Sequence, residues 1–464
     1  MVFADLIFLY CFLPLNLIFY YMSGNKLWRN IVLVAFSLFF YAWGEPVWII
    51  LLIFSATIDY FHGLMVEANR GNVKAKLAVA SSVVVNLGLL GIFKYSGLLY
   101  ETINSVFGLS LKVPTFALPI GISFYTFQTI SYVIDVYRGE AAAQRSYLKF
   151  LMYVSLYPQL VAGPIVRYRD VETEINVRTE TLAGISRGMS RFCVGLLKKT
   201  LIANFAGSLS AGFLGGDLNN LSVLGAWYGI ALYAIQIYYD FSGYSDMAIG
   251  LANMFGFHYL ENFNYPYVSR SATEFWRRWH ISLGTFFREY LYIPLGGNRN
   301  MMIRNLLVTW FLTGLWHGAS WNFVVWGLFW GMLILIEKLF LSRVLECVPR
   351  IFSHLYLLAA MLVGWVFFYF VDLGTGLAYI GRMFGIGAPA LWDLPLMINI
   401  SNNLFWFLAA VLFCAPAAPR IAQALSKKKA LVSAVVPAVS IFCLLVSTAL
   451  LVGQSYNPFL YFRF

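Results

Sequence analysis

Long apolar runs alternate with short basic turns along almost the whole chain. A run of about 17–25 apolar residues, wound as helix, matches the thickness of a bilayer's hydrocarbon core. Such runs fall near residues 4–22, 30–44, 46–63, 77–95, 116–135, 147–165, 185–212, 221–255, 305–338, 355–372, 403–419 and 431–453. The stretches 221–255 and 305–338 have room for two helices each, or for a helix and a broken segment. The pattern predicts an all-α polytopic membrane protein with about 11–13 transmembrane or re-entrant helices. Residues 256–304 depart from it. They are too polar to span and too aromatic for a free loop, mixing Arg270, Glu274, Arg277, Arg278, Arg288, Glu289, Arg299 and Arg304 with Trp276, Trp279, Phe286, Phe287 and Tyr290. Arg and Trp together suit a surface-lying anchor at the headgroup level. They equally suit a partly buried element lining a cavity and carrying His280 inward.

Composition agrees with a membrane solvent. The 464 residues are 60% hydrophobic and 11% charged, against about 25% charged in soluble proteins. The mean hydropathy is +0.73. The net charge of +11 points to cytoplasmic loops rather than nucleic acid, because Lys and Arg concentrate on that side of a membrane. Clusters at Lys26/Arg29, Arg70/Lys74/Lys76, Arg138/Arg145/Lys149, Lys338/Arg343/Arg350 and Lys427–Lys429 place those turns inside. The N-terminus, the Gly44-Glu45-Pro46 turn and the tail Gln454–Phe464 are then outside. Asp5 and the long aromatic run 4–22 favour a retained first span over a cleaved leader. Cys11, Cys193, Cys347, Cys414 and Cys443 are scattered and have neither disulfide-framework nor zinc spacing. No linker, low-complexity segment or repeat is visible, so residues 1–464 read as one integral-membrane domain.

Candidate chemistry rests on two histidines in tryptophan-rich sequence: His280 in Phe275-Trp-Arg-Arg-Trp-His280 and His317 in Gly314-Leu-Trp-His317. An ionisable group kept in apolar surroundings marks a site or a pathway, and imidazole moves protons near neutral pH. Each histidine alone also suits a hydrogen-bonded core position. As a pair they suit acyl transfer: one takes the proton of an attacking hydroxyl, and the other orients the acceptor or stabilises the oxyanion. No third ligand at metal spacing accompanies them. Tyr238-Tyr-Asp-Phe-Ser-Gly-Tyr-Ser-Asp246 puts Asp240, Ser242 and Asp246 in or beside a span. They line a polar path or clamp helices together. Gln159-Leu-Val-Ala-Gly-Pro164, followed by Arg167 and Arg169, is either a broken path-lining element or an ordinary helix terminus. Gly314-x-x-x-Gly318 and Gly327-x-x-x-Gly331 suit close helix packing. No Walker loop and no Gly-x-Ser-x-Gly elbow occurs.

Several segments resemble the membrane-bound O-acyltransferase family, in particular its bacterial alginate O-acetylase-like branch. They are Leu118-Pro-Ile-Gly-Ile-Ser-Phe-Tyr-Thr-Phe-Gln128, Leu160-Val-Ala-Gly-Pro164, Asp240-Phe-Ser-Gly-Tyr-Ser-Asp246, Phe275-Trp-Arg-Arg-Trp-His280, Tyr292-Ile-Pro-Leu-Gly-Gly297, Trp316-His-Gly318 and Pro458-Phe-Leu-Tyr-Phe-Arg-Phe464. The resemblance implies N-terminal helices over 1–115 and a family core over 116–464. It implies a ring of helices around a central tunnel, with His317 catalytic and His280 the second family histidine. Asp240, Ser242, Asp246, Trp279 and Trp316 would line or support the tunnel. No cofactor would be bound permanently. Acetyl-CoA would serve as donor on the cytoplasmic side of a bacterial inner membrane. The acceptor would be an extracytoplasmic polysaccharide hydroxyl, reached directly or through an acetyl-relaying protein. Coenzyme A is anionic, which nominates Arg277, Arg278, Arg288 and Arg299 for its mouth; the same arginines suit lipid-headgroup anchors. Three rivals stand beside this reading: D-alanyl transfer from a carrier protein to teichoic acid, a proton-coupled transporter, and a scaffold for a soluble acetyltransferase.

Overall fold

The computed structural model describes residues 1–161, 163–417, 419–420, 429–453 and 459–460. Lys427 and Lys428, and most of the tail from Gln454 with its Pro458–Phe464 motif, lie outside them. No strand occurs among the described residues. Among the described residues, eight helices are long and apolar enough to cross a bilayer: Lys26–Gly44, Ile49–Ala68, Val73–Phe107, Leu182–Leu214, Trp321–Cys347, Arg350–Tyr369, Leu394–Phe413 and Val435–Val452. The protein is an all-α, multi-pass membrane protein. The other expected spans form shorter or differently divided helices. Residues 305–338 divide at Gly318 into Met302–His317 and Trp321–Ile336. Residues 221–255 form one continuous helix, Val223–Met254. The expected span 147–165 is instead a nine-residue helix, Tyr147–Ser155, and a four-residue turn, Tyr157–Leu160. Pro158 sits in the first turn of the second piece; lacking an N–H, proline begins a helix more readily than it continues one.

The helices gather into two compact units. One holds Met1–Leu196 and Tyr244–Leu260, the other Leu197–Gly243 and Glu261–Leu450. In the first, Ile49–Ala68, Val73–Leu90 and Ile122–Arg138 pack together around a buried polar network. The Asp59 carboxylate is fully buried and accepts from Ser82 Oγ (2.7 Å) and Asn86 Nδ2 (2.6 Å). A polar group in hydrocarbon must find its partner within the protein, and this network does so.

In the second unit, Met302–His317 and Trp321–Ile336 pack extensively against each other. A Cβ on Gly314 would lie 2.2 Å from the Phe323 carbonyl oxygen, and one on Gly327 would lie 2.3 Å from that of Trp310. Both glycine motifs therefore belong to one tight crossing, which holds the His317 end of its helix against the start of the next.

Candidate active site

His280 and His317 belong to the same unit. His280 follows the short helix Ala272–Arg278, whose N-terminus is firmly anchored. Ser271 caps it by accepting from Glu274 N (3.0 Å). The buried Glu337 carboxylate accepts from Ala272 N (2.5 Å), Thr273 N (2.8 Å), Thr273 Oγ1 (2.6 Å) and Tyr356 OH (3.2 Å). A carboxylate at free N–H groups satisfies donors that a helix start leaves open.

His280 itself takes a left-handed backbone conformation, φ 48° and ψ 54°. Non-glycine residues rarely adopt it, and such strain clusters at functional sites. The side chain is buried. Its Nδ1 lies 3.2 Å from Asn262 Oδ1, which also accepts from Ser282 N (3.1 Å) and Ser282 Oγ (2.9 Å). Because a backbone N–H donates to that Asn262 atom, the atom is oxygen, and neutral His280 must carry its proton on Nδ1. Nε2 then has a lone pair and no hydrogen. It makes no hydrogen bond among the described residues. Burial pushes the His280 imidazole down to about 3, so the ring is neutral at physiological pH.

A cavity of about 360 Å³ opens beside it. His280, Thr273, Trp276 and Thr313 line it, with Arg277, Arg288, Tyr292 and Lys338 supplying charge and polarity. Two π-helical turns, Arg288–Tyr292 and Glu337–Leu341, present the last three of these residues, as π-bulges often do at functional sites. Lys338 Nζ donates to Asn298 Oδ1 at 2.7 Å.

His317 is the last residue of its helix. Its ring stands edge-on to Trp326 (4.8 Å between centroids), Trp316 (4.9 Å) and Phe368 (5.3 Å). Trp316 also meets the His280 ring, at 6.0 Å. The two histidines thus share one aromatic neighbour.

The remaining nominated residues divide. Arg277 and Arg288 line the cavity. Arg278 pairs with Glu274 at 3.0 Å, and neither it nor Arg299 is among the lining residues. Trp279 is packed against Trp365 (5.0 Å) and Phe263 (5.1 Å) and supports the site from the core. Asp240 is buried in an ion pair with Lys199, Nζ to Oδ1 2.5 Å; its neighbour Phe241 meets the His280 ring at 4.7 Å. Ser242 is buried and does not line the cavity. Asp246 belongs to the other unit, where it pairs with Arg191 at 2.8 Å. Sequence reasoning does not nominate Asn262, Glu337, Lys338 or Lys199 for the site; Lys338 enters that reasoning only as part of a basic cluster. A lone acid after a 16-residue apolar helix is the available signal for Glu337. Asn262 carries none, being 18 positions from His280.

The sequence model of the membrane-bound O-acyltransferase family matches residues 4–373. A probable alginate O-acetylase of Azotobacter vinelandii is 38% identical over the full length of both chains. A peptidoglycan O-acetyltransferase of Helicobacter pylori is 32% identical, covering 84% of this chain and 80% of its own. A teichoic acid D-alanyltransferase of Streptococcus thermophilus is more distant, 28% identical over 48% of this chain and 58% of its own.

Proposed function

This chain belongs to the membrane-bound O-acyltransferase family and is an O-acyltransferase; from that premise we propose that it acetylates hydroxyl groups of a cell-surface polysaccharide. The acetyl donor is cytoplasmic acetyl-CoA, the membrane is the bacterial inner membrane, and the product forms outside, directly or through a relaying partner protein. The relatives that cover most of this chain are O-acetylating enzymes, which favours acetyl over D-alanyl transfer.

One observation carries the mechanism: a buried, neutral histidine with its Nε2 lone pair unengaged lines a cavity that also presents Arg277, Arg288 and Lys338. Three cations favour the phosphates of coenzyme A over a neutral donor. The acceptor hydroxyl attacks the thioester carbonyl as His317 takes its proton; a C–O bond forms. The C–S bond then breaks, and the proton passes from the imidazolium to the leaving thiolate. His280 orients the acceptor by accepting, at Nε2, a hydrogen bond from a second hydroxyl of the polysaccharide, not the one that attacks. A histidine without a proton on that nitrogen cannot stabilise an oxyanion there, which favours the orienting role over the electrostatic one.

The test uses protein in sealed liposomes with radiolabelled acetyl-CoA on the face bearing the basic loops. Labelled ester on an added polysaccharide, or labelled acetate released from the thioester, is expected. Activity only with a D-alanyl carrier protein would move the chain to the teichoic acid branch. No turnover of either donor would overturn the proposal.

A further inference from the structure

A second pocket, of about 200 Å³, lies in the first unit. Lys26, Arg29, Lys149 and Arg178 line it, and Glu180 is the only acid among its lining residues. That carboxylate is already engaged by Arg29 Nη1 (2.7 Å) and by Tyr20 OH (2.5 Å), with Arg178 Nε 3.5 Å away. Neither lysine is matched to an acid. Lys149 Nζ donates to the neutral Asn176 Oδ1 (2.9 Å), and Lys26 has no ion-pair or hydrogen-bond partner for its side chain among the described residues. The Arg178 side chain is 6% exposed, and one of its terminal nitrogens makes no hydrogen bond among the described residues. A buried guanidinium nitrogen without an acceptor is costly, and a pocket with excess positive charge is the place to find an anionic oxygen.

The surroundings place this pocket at a membrane surface. Lys26 opens the spanning helix Lys26–Gly44. Leu27, which also lines the pocket, is 58% exposed, and Met22 is 63% exposed. Trp28 donates its indole N–H to the Phe19 carbonyl at 2.8 Å, at the helix end where tryptophan anchors a headgroup region. A basic pocket between helices on the cytoplasmic side is the usual form of an anionic-headgroup site.

We propose that this pocket binds a phosphate group, with Lys26 and Lys149 as its charge ligands and Arg178 completing the set. It stands apart from the acyl-transfer chemistry. A phospholipid headgroup and free phosphate share this chemistry, and the experiment separates them.

Native mass spectrometry of the full-length protein in detergent, titrated with dioleoylphosphatidylglycerol, measures the first. Lys26→Ala with Lys149→Ala is expected to weaken the lipid adduct about fivefold per lysine. Lys74→Ala with Lys76→Ala, two exposed basic residues outside the pocket, is expected to leave it unchanged. Competition by millimolar inorganic phosphate on the wild type identifies the source: displacement of the lipid assigns the pocket to free phosphate as well, and persistence assigns it to the headgroup alone. The wild-type competition also keeps the test valid if the double variant does not fold, since absence of any saturable lipid or phosphate adduct on the wild type overturns the proposal. Equal lipid affinity in the pocket and control variants overturns it too.

Discussion

His280 and His317 share Trp316 as a neighbour, yet their surroundings differ in kind. His280 is held by polar means: a strained backbone, Asn262 on Nδ1 and a helix start tied to Glu337. His317 is held by packing: it ends a helix fixed by a glycine crossing and stands among Trp326, Trp316 and Phe368. The first arrangement determines which nitrogen carries the proton. The second determines where the ring sits. This difference supports the proposed division between an orienting group and a proton-transferring group.

Substitutions separate the two environments. The largest effect is expected at the histidines themselves: replacing His317 by Ala lowers turnover by about 10²–10⁴-fold, the usual worth of a positioned base. Gly314→Ala comes next. Its Cβ meets a backbone carbonyl rather than a flexible side chain, so overpacking costs about 1–3 kcal/mol, and a lowered melting temperature should accompany lost activity. Asn262→Leu is expected to cost less stability than activity. It removes the acceptor that sets the His280 tautomer, and turnover should fall about tenfold or more while KM for the donor holds, as expected when a positioning contact is lost. Asn262→Asp, which keeps an acceptor on Nδ1, should restore part of the rate. Smaller still is the effect of Arg277→Ala or Arg288→Ala: KM for acetyl-CoA rises with kcat nearly constant, and the difference shrinks at high salt.

A pH experiment sharpens the same contrast. His280 is neutral in the folded protein down to about 3, whereas an unfolded histidine protonates near about 6.5. Between those values the unfolded chain binds the extra proton, so stability rises with pH. The contribution is complete above about 6.5 and is lost as pH falls toward 3, with a slope of up to about 1.4 kcal/mol per pH unit. His280→Gln should flatten the fall in melting temperature between pH 7.5 and 5.5. An unchanged slope would mean that His280 is not buried neutral.

What is legible in the sequence follows from range. The spans and the two glycine motifs are local patterns, and most of them appear where the pattern puts them or close by, the expected span 147–165 excepted. Asp240, Ser242 and Asp246 look like one constellation because seven consecutive residues hold them, but a long helix delivers Asp240 and Asp246 to different units and different cations. Arg277 and Arg278 are indistinguishable in sequence. The helix turns one to the cavity and the other to Glu274. Asn262 and Lys338 reach the site through tertiary folding alone, and no periodicity announces them. The break at Tyr157-Pro158 is hidden by the apolar character of the residues around it.

The most direct test of the histidine pair is acetyl-CoA turnover by purified protein in liposomes, comparing wild type with His317→Ala and His280→Ala at matched folding. His317→Ala is expected to abolish both transfer to polysaccharide and thioester hydrolysis. His280→Ala is expected to lower transfer more than hydrolysis, because orienting the acceptor matters little to water. Wild-type turnover in His317→Ala would contradict the proton-transferring role of His317.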